Sequence, residues 1–72
     1  MPELELLSVV AVLRDLPEHK LVRGQVGTIV EELAPDVYLV EFSDDEGRTY
    51  ALATLRCEEL IRLHHRPLER VA

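Results

Sequence analysis

The chain has 72 residues, and a polypeptide of this length removes only about 60% of its unfolded surface on folding, enough for one small core and no separate catalytic domain. With 47% hydrophobic and 31% charged residues it is globular in composition rather than a disordered tail. Eight Lys and Arg against fourteen Asp and Glu give a net charge of −6, a sign that repels phosphate backbones and disfavours general nucleic-acid binding.

Short apolar runs separated by turn residues predict a small all-β domain. The first strand is SVVAVL at 8–13, whose β-branched residues suit a pleated surface. RDLPEHKLVRG at 14–24 is a long ordered loop in which Pro17 fixes its own φ and extends Leu16, while Gly24 permits a left-handed turn. Leu16, Leu21 and Val22 are expected to fold back from this loop onto the core. VGTIVEEL at 26–33 is the second strand, with Gly27 marking either a bulge or a close approach of another backbone. Ala34, Pro35 and Asp36 supply the turn into the third strand, VYLVEF at 37–42. There Tyr38, Val40 and Phe42 share the inward face, and Val37, Leu39 and Glu41 the other. SDDEG at 43–47 closes a hairpin with Gly47 at the positive-φ position, and RTYALAT at 48–54 is the fourth strand.

LRCEEL at 55–60 is too short for a stable α-helix and reads as a single helical or 3₁₀ turn. A short fifth strand at 60–63 follows; Pro67 stops it, and 68–72 is a frayed tail. The chain is one domain over 1–72, with its core within about 8–64 and 65–72 outside it. The expected nucleus is Val10, Val12, Leu16, Val26, Ile29, Val30, Val40, Phe42, Ala51, Leu52, Leu55, Leu60 and Ile61. Both faces of strands one and two carry aliphatics, so either could be the inner one. Leu39, Leu52 and Leu63 are left over for contact with a second chain, including another copy of this one.

Five short strands, a long first loop and a one-turn helix before the last strand resemble the order of elements in an SH3-like barrel. RGQVGTIVEEL at 23–33 is similar to the Gly-x-x-Gly-x-Val turn and strand of KOW-type barrels, with Ile29 at the valine position. Over about four-fifths of the chain, DLPEHKLVRGQVGTIVE, GRTYALATL and EELIRL together resemble a bacterial family of small free-standing domains of unknown function. That resemblance implies a five-stranded SH3-like, KOW-related barrel and short cytoplasmic proteins in the manner of antitoxins or immunity proteins. It implies no catalytic residues.

No motif of the sequence calls for catalysis, a metal or a cofactor. Gly24 and Gly27 lack the lysine and hydroxyl of a phosphate-binding loop and are explained by turn geometry. His64 and His65 point to opposite faces of a strand, so only one of them could join His19 or Cys57 at a metal. Cys57, the only cysteine, excludes an intramolecular disulfide and reads as a small half-buried hydrophobe. A chain this small is not expected to enclose the cavity of about 300 Å³ that a small substrate needs. Tyr38, Phe42 and Tyr50 are too few to line a proline-binding groove. The start MPELELL has acids where a signal peptide has cations, and no apolar run reaches the roughly 20 residues of a bilayer span. The expected location is therefore cytoplasmic, with no membrane contact.

Charge is the one functional signal. Between 31 and 46 lie Glu31, Glu32, Asp36, Glu41, Asp44, Asp45 and Glu46 with no Lys or Arg, whereas Arg62, Arg66 and Arg70 with His64 and His65 make the last dozen residues mildly basic. The acidic stretch is expected to present one continuous negative field to an electropositive protein partner. The leading expectation is thus a non-enzymatic interaction module; the alternative is a KOW-like nucleic-acid-binding barrel using Arg14, Lys20, Arg23 and Arg48.

Overall fold

A computed structural model describes residues 4–64 and Pro67. Five strands form one antiparallel sheet: β1 (Val9–Val12), β2 (Val26–Ala34), β3 (Val37–Ser43), β4 (Thr49–Arg56) and β5 (Leu60–Arg62), in the order β4-β3-β2-β1-β5. The two helical segments are 3₁₀ turns, Pro17–His19 in the β1–β2 loop and Cys57–Glu59 between β4 and β5. All five strands fall on the apolar runs that predict them; β2 and β3 continue past their expected ends by one residue each and β4 by two. Leu55 and Arg56, expected in the helical turn, are therefore strand, and the turn is Cys57–Glu59. The sheet is open, with β4 and β5 as its edges. Arg66, Arg70, His65 and the tail at 68–72 lie outside the described residues.

Register decides what is buried. Tyr38, Val40 and Phe42 of β3 are almost wholly buried, together with Ile29, Val10, Val12, Leu55, Ala53 and Leu60 from the flanking strands. Four residues of the expected nucleus are corrected: Val26, Val30, Leu52 and Ile61 are 47%, 37%, 56% and 49% exposed. Val26 pairs with Ala11, which pairs with Ile61, and Leu52 pairs with Glu41, so three of them stand on the outer face by strict alternation. Val30 is the extra residue of a bulge between Ile29 and Glu31, and Leu33 that of a second bulge. Simple alternation from Ile29 would aim Glu31 at the core. The bulge turns it outward, beside Leu39.

Gly27 is not the bulge. It is buried at a regular pair with Val10, and a Cβ there would stand 2.7 Å from Val40 Cγ1 and 2.9 Å from both the Glu41 carbonyl oxygen and Phe42 Cδ2. The close approach is therefore the correct alternative, and its purpose is to let Val40 and Phe42 lie across β2.

The long loop clips itself shut. Leu16 and Leu21 exchange backbone hydrogen bonds of 2.8 and 3.1 Å and bury both side chains, with Pro17 opening the 3₁₀ turn between them and Lys20 in the left-handed region at φ 60°. Val22, expected to fold back with them, is 59% exposed.

Candidate functional site

The acidic residues are distributed by the two hairpins. Glu31, Glu32 and Asp36 gather at the β2–β3 turn, where Asp36 takes φ 64° after Pro35. Asp44, Asp45 and Glu46 occupy the β3–β4 turn, and Glu41 lies on β3 between the two groups. These turns are at opposite ends of β3, a separation of about 20 Å at the usual rise per residue. Since the Debye length in physiological salt is about 8 Å, the two turn groups are screened from each other, and Glu41 stands between them.

The patches differ chemically. At the β3–β4 turn, Arg48 returns to Glu46 and to Asp44, the latter at 3.5 Å, and the Asp44 carboxylate also accepts from the backbone N–H of Glu46 and Arg48. Glu41 accepts a hydrogen bond from the Thr49 hydroxyl at 2.6 Å. None of the ion pairs among the described residues involves Glu31, Glu32, Asp36 or Asp45. The β2–β3 end is thus the less neutralised of the two.

Two neighbouring groups register that field. Burial, then the charges of Glu32 and Asp36, push the Tyr38 hydroxyl above its ordinary range. Cys57, whose N–H donates to the Asp36 carbonyl at 3.0 Å, is likewise raised by burial and then by the Asp36 charge. The thiolate is disfavoured, which agrees with the reading of Cys57 as a half-buried hydrophobe.

A cleft of about 520 Å³ opens beside this end, lined by Arg14, Val37, Thr54, Arg56, Glu58 and Glu59. It is a cleft open to solvent and not an enclosed cavity. Glu59 is its organising residue: its carboxylate accepts from the Arg56 backbone N–H at 2.8 Å and pairs with Arg14, and these contacts, the Arg56 hydrogen bond first, hold it below the usual carboxylate range. The sequence reading missed this arrangement, although Glu59 stands three residues after Arg56, the spacing at which a side chain reaches back to the N-terminus of a helical turn. Arg14 and Arg48, two of the four cations of the nucleic-acid alternative, are both engaged by carboxylates. Among the described residues no group of three His, Cys, Asp or Glu side chains could hold a metal ion, and no helix is long and apolar enough to cross a membrane.

These features define a small all-β domain with an open five-stranded antiparallel sheet and an acidic hairpin end. The chain belongs to the family described as Domain of unknown function (DUF4926), whose model matches residues 6–62. No curated protein and no solved structure shows a significant match to it.

Proposed function

We propose that this chain is a non-enzymatic protein–protein interaction module, antitoxin- or immunity-like and cytoplasmic in a bacterium, that offers acidic surface to a basic partner. The observation that carries the reading is the β2–β3 end, where Glu31, Glu32 and Asp36 are exposed and outside every ion pair among the described residues. Carboxylates that are not neutralised within the fold keep their charge for steering an opposite surface. The antitoxin- or immunity-like part rests on the family resemblance alone. We read the sheet as an SH3-like, KOW-related barrel left partly open: the strand order, the long β1–β2 loop and the 3₁₀ turn between β4 and β5 support it.

The nucleic-acid alternative is less well supported, because Arg14 and Arg48 are already paired and leave Lys20 and Arg23 to face fourteen acids. Filter binding with mixed RNA and DNA at low salt separates the two readings. The interaction reading expects no retention; salt-sensitive retention would favour the alternative.

A further inference from the structure

We propose that the free edge of β4 is a strand-addition site for an extended basic segment of the partner protein. The inference rests on the interaction reading and names the surface that reading would use.

The two edges of the sheet are unequal. β5 has three residues, and shortness is one of the ways in which proteins protect an edge. β4 has eight, without proline or lysine, and its only register irregularity lies at its start, where Tyr50 is the extra residue opposite Phe42 and Ser43. The backbone groups that β4 leaves open follow from the ladder. In an antiparallel sheet consecutive residues turn their N–H and C=O to alternate neighbours. Ile29 donates to the Ser8 carbonyl at 3.0 Å and so spends its groups towards β1. Thr28 then faces β3 and Glu41; Val40 and Phe42 face β4, where they meet Ala53 and Ala51. Leu52 and Thr54 are left pointing outward.

Arg56, next in that series, supports the assignment: its N–H donates to the Glu59 carboxylate at 2.8 Å, which closes the edge at this end. No backbone hydrogen bond from another segment reaches Leu52 or Thr54 among the described residues. Their side chains, with Tyr50, are exposed along the same stretch.

Charge selects the occupant. Asp44, Asp45 and Glu46 flank the start of β4 and Glu58 its end, while Glu41 and Glu31 lie on the outer face one or two strands in from the edge. Arg48 offsets one of the three charges at the start of β4, which leaves that end acidic, whereas Arg56 and Arg14 stand beside Glu58 and Glu59 at its other end. An added strand with apolar or threonine residues in its middle thus meets complementary charge where its Lys or Arg lies against the β3–β4 turn. A second copy of this chain, at −6, meets like charge.

The probe is a synthetic peptide of alternating valine and threonine with lysines at both ends. Its control has the same lysines but proline at alternate positions, which cannot donate to a ladder. Binding to the whole chain is read by NMR amide shifts and by hydrogen exchange at Leu52 and Thr54. The expected result is that the strand-forming peptide binds, slows exchange at those two amides, and binds about tenfold more weakly to Thr54→Pro, which removes an outward N–H. Proline is tolerated on an edge with its nitrogen facing solvent, and a thermal melt of the variant checks its fold. If both peptides bind alike, or Thr54→Pro binds as well as the parent, the edge proposal fails while the acidic-surface reading stands. If neither binds, the edge proposal fails, and the acidic-surface reading is decided by co-purification of the native partner. Self-association of the parent chain that Thr54→Pro abolishes would make the occupant a second copy and overturn the proposal.

Discussion

Gly27 and Phe42 occupy the same space on the inner face of the sheet, and they can do so only because Gly27 has no side chain: a Cβ there would stand 2.9 Å from Phe42 Cδ2. The two strands are neighbours, and Phe42 fills the gap that Gly27 leaves. Gly27→Val should therefore destabilise the domain by about 1 to 3 kcal/mol, despite the better strand propensity of valine. A urea melt beside the parent protein measures it; an unchanged or raised midpoint would show that the core yields at this point.

The Leu16 and Leu21 clip predicts an unequal response within one loop. Leu16→Ala or Leu21→Ala should each cost about 2 to 5 kcal/mol, since each leaves a void under a closed loop. Val22→Ala, one residue on and mostly exposed, should cost less than about 0.5 kcal/mol. Comparable losses at Leu21 and Val22 would contradict the burial described for this loop.

Lys20 ends the 3₁₀ turn at φ 60° and ψ 38°, a region that residues with a Cβ enter at a cost of about 1 kcal/mol. Lys20→Gly should thus be neutral to stabilising by up to about 1 kcal/mol, the relief of strain being partly offset by the looser unfolded chain. A fall in melting temperature would mean that the lysine side chain contributes more than its backbone strain removes.

Stability should fall at both ends of the pH range, for opposite reasons. Glu59 is held below its ordinary pKa of about 4.3, so its contribution is present above that value and is lost as pH falls through the lower folded value. Tyr38 and Cys57 are raised, so theirs are present below the ordinary values of about 10 and 8.5 and are lost as pH rises through the folded values. Glu59→Gln should flatten the acid limb and Tyr38→Phe the alkaline limb of the urea midpoint plotted against pH. A Tyr38→Phe profile parallel to the parent above about pH 10 would remove the tyrosine from this account.

The strands were legible because β-branched runs and turn residues alternate along the chain, and the inward set of β3 could be read from parity alone at Tyr38, Val40 and Phe42. Parity gives no answer on β2, where a bulge at Val30, with no glycine or proline to mark it, switches the faces of Glu31 and Glu32 until a second bulge at Leu33 switches them back. The outward positions of the surplus aliphatics Val26, Leu52 and Ile61 are hidden for a related reason: composition does not distinguish the two faces of a strand that is apolar on both. At the acidic surface, the sequence reveals seven carboxylates as one run, but the reversal of direction at Asp36 carries Glu31 and Glu32 back to one end of β3 and leaves Asp44, Asp45 and Glu46 at the other. The engagement of Arg48 by Asp44 and Glu46 depends on hairpin closure.

Co-purification from the native host, run in parallel for the parent chain and for Glu31→Gln, Glu32→Gln, Asp36→Asn combined, tests the interaction reading most directly. At low salt the parent should retain one basic protein in stoichiometric amount and release it in a high-salt wash, and the triple variant, with these carboxylates, exposed and outside every ion pair among the described residues, neutralised, should retain little of it. A parent chain that emerges alone under every condition, or a partner held equally by the variant, would contradict the account.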